Sequence, residues 1–286
     1  MSRGYAGPHL ELTLPHQSLT RSHARMRDST TLQYSMTPTN GAPRIALVHS
    51  LAMNGDFWNP VVERLSGSAQ LLTYDCRGHG ASDKPPGPYT IDLFADDLSD
   101  LLDAAGWKSA IVAGASMGGS VTLGFAAKYP SRISALGLFD TTAWYGPDAP
   151  SNWEDRAVKA KTEGLSGLVA FQKTRWFGDK FREQNTDIVD ASVAAFLEND
   201  VAAYAETCRM LGNFDLRSSL ARIAVPTAVA VGEEDYATPL AMANDLHAGI
   251  KNSTLTVIKS GRHLTPLEKP DDIAAQLTTL LKQVRQ

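Results

Sequence analysis

Apolar side chains fall along this chain in two alternating kinds of segment. Short runs dense in Ile, Leu, Val and Ala occur at 44–49 (RIALVH), 70–75 (QLLTYD), 109–114 (SAIVAG), 133–139, 227–231 and 254–258. Runs of that length between turn residues predict buried strands. Elsewhere apolar residues recur every three or four positions, as Ile91, Phe94, Leu98, Leu101 and Leu102 do over 90–105. That spacing gathers them on one helix face, and 56–66, 117–128, 239–249 and 271–284 carry it too. Pro130 stops the helix at 117–128, because proline has no N–H to continue it. Two short strands joined at Asp28 and Ser29 are expected within 22–36, with turns at Thr39-Asn40-Gly41 and at 77–80. The alternation predicts an α/β chain with a mostly parallel central sheet flanked by helices.

The alternation lapses once. Over 144–220 the strand signal disappears and helical periods follow at about 152–162, 165–176, 186–198 and 200–212. Strands resume afterwards, so the helices read as a cap inserted into the α/β unit rather than a separate C-terminal domain. The expected organisation is an N-terminal extension at 1–21, a core made of 22–143 and 216–286, and an all-helical cap at 144–215.

Composition narrows the function. Lys plus Arg number 27 against 31 Asp plus Glu, a net charge of −4, which speaks against general affinity for nucleic acid or anionic membrane. No run of 18 apolar residues is present to span a bilayer, and the first 20 residues lack a basic start followed by an apolar stretch. A cytoplasmic address is expected, and the two cysteines, Cys76 and Cys208, read as reduced core residues. No His/Cys/Asp cluster has metal-ligand spacing, and no Gly-x-Gly-x-x-Gly follows a first strand, so neither a metal nor a nucleotide cofactor is expected.

The chemistry is carried by Gly114-Ala115-Ser116-Met117-Gly118. It lies between a predicted strand and a predicted helix, the context that Gly-x-Ser-x-Gly needs to raise a nucleophilic serine on a sharp turn. A serine hydroxyl requires a base. Of seven histidines, His263 lies in a loop after the last strand, at the sheet edge where α/β sites form. The orienting acid is expected at Asp235, after the strand at 227–231, with Asp140 and then Glu234 as alternatives. The order Ser116, Asp235, His263 is the one this arrangement uses. Backbone N–H groups of Leu51 and Met117 are the expected oxyanion donors, and His49 beside them reads as structural.

Together these residues resemble the α/β-hydrolase superfamily, over almost the whole chain from about residue 22. Ser50-Leu51 with Phe57-Trp58, YDCRGHGASDKPPGPYTI at 74–91, GASMGG, RAVKAKTEG at 156–164, Arg175-Trp176-Phe177, NFDLRSSLARIAVPT at 213–227 and Asp235-Tyr236-Ala237-Thr238-Pro239 are similar to 3-oxoadipate enol-lactonases. The resemblance implies an α/β-hydrolase fold and hydrolysis of a small enol-lactone bearing a carboxylate, with no cofactor. Arg156, Lys159 and Arg175 would then be candidate cations for the carboxylate, and Trp153 and Trp176 apolar walls. Three stretches depart from that family: Asp140-Thr141-Thr142 replaces Asn-Thr-Ala, Ala52-Met53-Asn54 follows Ser50-Leu51, and the histidine loop reads Gly261-Arg262-His263-Leu264-Thr265-Pro266. A broad carboxylesterase or C–C bond hydrolase on the same three residues is the second expectation, and a ligand-sensing receptor on a hydrolase fold the third.

Overall fold

The computed structural model describes residues 19–38 and 43–284. The expected turn at Thr39-Asn40-Gly41 and all but the last residues of the expected extension lie outside them. Among the described residues eight strands form one sheet: β1 (Thr20–Arg25), β2 (Thr31–Met36), β3 (Arg44–Val48), β4 (Gln70–Tyr74), β5 (Ala110–Ala115), β6 (Ile133–Phe139), β7 (Thr227–Gly232) and β8 (Ser253–Ile258). Their spatial order is β1-β2-β4-β3-β5-β6-β7-β8, with β1 and β2 antiparallel and every pair from β4 to β8 parallel. Strands β3, β5, β6 and β7 are buried almost throughout, as expected of parallel strands covered on both faces. Because they run the same way, their carboxyl ends line one edge. Ala115 pairs with Phe139 there, and Gly232 with Ile258.

The helices are α1 (Asn59–Arg64), α2 (Ile91–Ala104), α3 (Met117–Lys128), α4 (Ala149–Glu163), α5 (Val169–Trp176), α6 (Asp179–Gln184), α7 (Thr186–Leu197), α8 (Val201–Asn213), α9 (Leu240–Gly249), α10 (Thr265–Glu268) and α11 (Pro270–Val284). Thr90 starts α2 by accepting the Leu93 N–H on its hydroxyl, the usual way to satisfy a free donor of the first turn. Helices α4 to α8 are the insertion between β6 and β7. There α4 packs on α8, where Gly212 lets the Trp153 side chain and the Ala149 backbone approach.

Several boundaries differ from the sequence reading. Strand β1 begins at Thr20, two residues inside the expected extension, and pairs with Met36. Its exposed edge gives little alternation to read. The expected helix at 56–66 is a 3-10 turn, Gly55–Trp58, followed by α1 with Pro60 in its first turn. Likewise 165–176 divides into the 3-10 turn Leu165–Leu168 and α5. Helices α6 and α10 were not expected, being too short for a helical period to register. Both cysteines are free and buried. Among the described residues no helix is long and apolar enough to cross a membrane.

One buried ion pair fixes the turn after β4. Arg77 reaches Asp97 on α2 through two hydrogen bonds, and Asp28 in the β1–β2 turn at 3.0 Å. Burial pushes the Asp97 carboxyl up to about 6, against the pull of Arg77. Removing one partner of such a pair strands the other charge in a dry site, at a cost of about 3–5 kcal/mol. Arg77→Met is therefore expected to lose about that much stability in urea unfolding, and Arg77→Met with Asp97→Leu to recover a large part of it.

Candidate active site

Ser116 joins β5 to α3 with φ 56° and ψ −121°, a conformation that a residue with a side chain adopts only under constraint, at about 1–3 kcal/mol. The constraint is visible on both sides of the residue. Its N–H donates to the Phe139 carbonyl at 2.9 Å, and its carbonyl accepts from the Thr141 hydroxyl at 2.7 Å and the Ser120 N–H at 3.2 Å. Gly118 lets α3 close on β3, since a Cβ there would run into the Val48 and His49 carbonyls. A larger residue would push the turn off the sheet.

Above the turn, Ser116 Oγ lies 2.9 Å from His263 Nε2, and His263 Nδ1 lies 2.9 Å from Asp235 Oδ2. All three residues are at most 5% exposed. Asp235 also accepts from the Ala237 N–H, the Thr238 N–H and the Thr238 hydroxyl at 2.7, 3.0 and 2.8 Å. Burial alone would raise the Asp235 carboxyl; the facing His263 and the hydrogen bonds from His263 and Thr238 outweigh it and hold it below the usual carboxylate range. The sequence-predicted serine, histidine and acid are thus brought into one hydrogen-bonded line. Such a line can lend the serine a base and hold that base in one tautomer.

Asp140, the alternative acid, is engaged elsewhere. It accepts from the Gly232 N–H at 3.0 Å and from both the N–H and the hydroxyl of Thr265. It therefore clips the end of β7, three residues before Asp235, to the loop two residues after His263. Burial, and next the Asp235 charge, push its carboxyl well above the usual range. Of these two buried carboxyls, Asp235 is the one held charged. Glu234 pairs instead with Arg262 at 3.1 Å.

The insertion holds the histidine loop from outside. The Trp176 carbonyl accepts from the His263 and Leu264 N–H groups, both at 3.1 Å. Arg262 donates to the Thr174 and Phe177 carbonyls, and Glu268 accepts from the Gly178 and Arg262 N–H groups. Leu51 stands in the loop after β3, 6% exposed, and Met117 opens α3, where the first N–H groups of a helix have no internal acceptor. Asn199 of the insertion donates to the Ala52 carbonyl at 2.9 Å. Behind this loop His49 is fully buried, with Nδ1 2.8 Å from the Ser50 carbonyl and Nε2 accepting the Cys76 N–H at 2.9 Å. Burial pushes it down to about 4, so it serves here as a neutral brace.

A cavity of only ≈10 Å³ lies over the serine, walled by Leu51, Ser116 and His263 from the core and by Trp153, Arg156, Gln172, Arg175 and Trp176 from the insertion. That is about the space one water needs. Arg156 donates to the Tyr204 hydroxyl at 2.7 Å and lies over the Trp153 ring. Arg175 stacks on Phe171, and burial, then the Arg156 charge, lower its pKa. Among the described residues neither guanidinium has a carboxylate partner. Lys159, the third expected cation, is instead exposed and paired with Glu163 at 3.0 Å; it lines a neighbouring cavity rather than the one over the serine. Two wall residues escaped the sequence reading. Tyr145, pushed up to about 12 by burial, lines the same cavity; its signal was its place beyond the carboxyl end of β6. Gln172 is 1% exposed, and its amide oxygen has no hydrogen-bond partner among the described residues. It precedes Arg175 by three positions on α5 and so shares its face. Among the described residues no group of His, Cys, Asp and Glu could hold a metal ion.

Comparison with known proteins agrees with this architecture. A model of the alpha/beta hydrolase family matches residues 45–276. The chain is 30% identical over 252 residues to a 3-oxoadipate enol-lactonase of Acinetobacter baylyi, covering 88% of this chain and 93% of that one. The crystal structure of an enol-lactonase from Burkholderia xenovorans superimposes with a TM-score of 0.87 at 32% identity, covering 91% of this chain and 100% of that one. A thermophilic esterase from Thermogutta terrifontis, solved with malate bound, gives 0.86 at 25% identity, covering 93% and 100%. Matched over nearly its whole length in sequence and in shape, the chain belongs to the alpha/beta hydrolase family and is a hydrolase.

Proposed function

We propose that the protein hydrolyses a small ester or lactone carrying a carboxylate, of the 3-oxoadipate enol-lactone type, through an acyl-enzyme on Ser116. The observation that carries the carboxylate is the pair Arg156 and Arg175, two guanidinium groups without a carboxylate partner among the described residues, walling the cavity over the nucleophile. Bringing two positive groups together in a site sheltered from water costs free energy, and a bound anion would recover it. The enol-lactonase relatives support the same substrate class.

In this reading Ser116 Oγ attacks the carbonyl carbon while His263 Nε2 takes its proton. The carbonyl oxygen becomes an oxyanion that accepts from the Leu51 and Met117 N–H groups. Asp235 stabilises the imidazolium. Collapse breaks the ester C–O bond, and His263 returns the proton to the departing enol or alcohol oxygen. Water, deprotonated in turn by His263, then attacks the acyl carbon, releasing the acid and restoring Ser116. Residues 144–215 act as a cap over this site, with the core supplied by the chain on either side, from β1 to 143 and over 216–286. Trp153 and Trp176 wall the substrate.

Ser116→Ala is expected to lower kcat for ester hydrolysis by about 10⁴-fold or more with the circular dichroism spectrum unchanged. Asp235→Asn should cost about 10⁴-fold, because the amide favours the wrong histidine tautomer. Asp140→Asn should cost far less in kcat and show mainly as a lower Tm; the reverse ranking would make Asp140 the acid. Arg175→Met should raise KM for methyl hydrogen succinate by roughly 10–100-fold, the worth of a charged hydrogen bond. It should leave dimethyl succinate nearly unaffected. An equal effect on both esters would remove the carboxylate from this reading and favour a broad carboxylesterase.

A further inference from the structure

Arg156 and Arg175 stand between two spaces. On one side is the ≈10 Å³ cavity over Ser116, and on the other a cavity of ≈580 Å³ that opens between α4 and α5. Tyr145, Trp153, Arg156 and Arg175 belong to the walls of both. The larger cavity adds Ala149, Leu168 and Phe171 and, among polar residues, Asn152, Asp155 and Lys159, and most of the surface it offers is apolar. Phe171 is 48% exposed, and its ring centre lies 5.6 Å from the Arg175 guanidinium carbon.

The volume falls within the roughly 300–1,000 Å³ of pockets that enclose drug-sized ligands. That is more room than a small lactone acid fills. An apolar hollow joined to a catalytic cavity through two cations is built for a molecule with a charged middle and an apolar arm. We propose that the larger cavity is a second substrate subsite. It takes an aryl or alkyl branch carried on the carbon beside the carboxylate that Arg156 and Arg175 hold, while the scissile carbonyl reaches Ser116. This assignment rests on the carboxylate reading above and extends it, from small acid esters to apolar-branched ones.

The test compares methyl hydrogen succinate with the same half-ester carrying a phenyl, benzyl or n-hexyl branch beside the free carboxyl group. The neutral dimethyl esters of all four acids form a parallel series. The branch is expected to raise kcat/KM at least tenfold, as burial of several carbons in an apolar pocket does. Phe171→Ser, at an exposed position, should cut that preference at least threefold. Equal rates with and without the branch in both series, or a preference untouched by Phe171→Ser, would overturn the subsite while leaving any preference for the half-esters standing. A branch effect that persists in the neutral series without preference for half-esters would support the subsite and overturn the carboxylate reading instead.

Discussion

The whole site depends on one buried hydrogen-bonded line, Asp235 to His263 to Ser116, being kept charged at its acid end in a place where water is scarce. A lone carboxylate there would take up a proton. Against burial, the facing His263, and after it the hydrogen bonds from the Thr238 N–H and hydroxyl, hold the Asp235 carboxyl below the usual range, while the Ala237 N–H fills another of its acceptor sites. Asp140, buried beside it, is the carboxyl that moves up. Two neighbouring acids thus divide the work by environment, one holding charge toward the histidine and the other joining loops. The parallel sheet makes this possible by delivering the ends of β5, β7 and β8 to one edge.

The stretches after β6, after β3 and around His263 support one another in space. Asp140 accepts from Thr265 of the histidine loop. Thr141, next to Asp140, holds the strained Ser116 carbonyl, and the Thr142 carbonyl accepts from Ser120. Arg262 ties that loop to the carbonyls of Thr174 and Phe177 in the insertion. The loop after β3 is held in turn by Asn199 at the Ala52 carbonyl. These contacts hold the loops that carry the three residues of the line.

What the sequence disclosed follows from how local each signal was. Strands β3 to β8 were legible because each is a short apolar run, and Ser116 because its turn demands glycines at fixed offsets. His263 and Asp235 followed from their positions after strands. The joining contacts were not legible. The Trp176 carbonyl that receives two N–H groups of the histidine loop is a backbone atom with no residue signature. Tyr145 and Gln172 read as ordinary loop and helix residues; the segment after β6 brings the first over the serine and α5 the second. Lys159 had the right charge on the wrong turn of α4 and reaches Glu163 instead. The short helices α6 and α10 offered too few residues for a period.

In the proposed mechanism His263 makes Ser116 nucleophilic. Mass spectrometry of the protein after treatment with an activated alkyl phosphonate ester measures this directly, since such reagents stay on the oxygen that attacks them. The expected result is a single adduct on the peptide containing Ser116, forming orders of magnitude more slowly in His263→Ala. Modification of a different residue, or equal labelling rates in the wild type and His263→Ala, would contradict it.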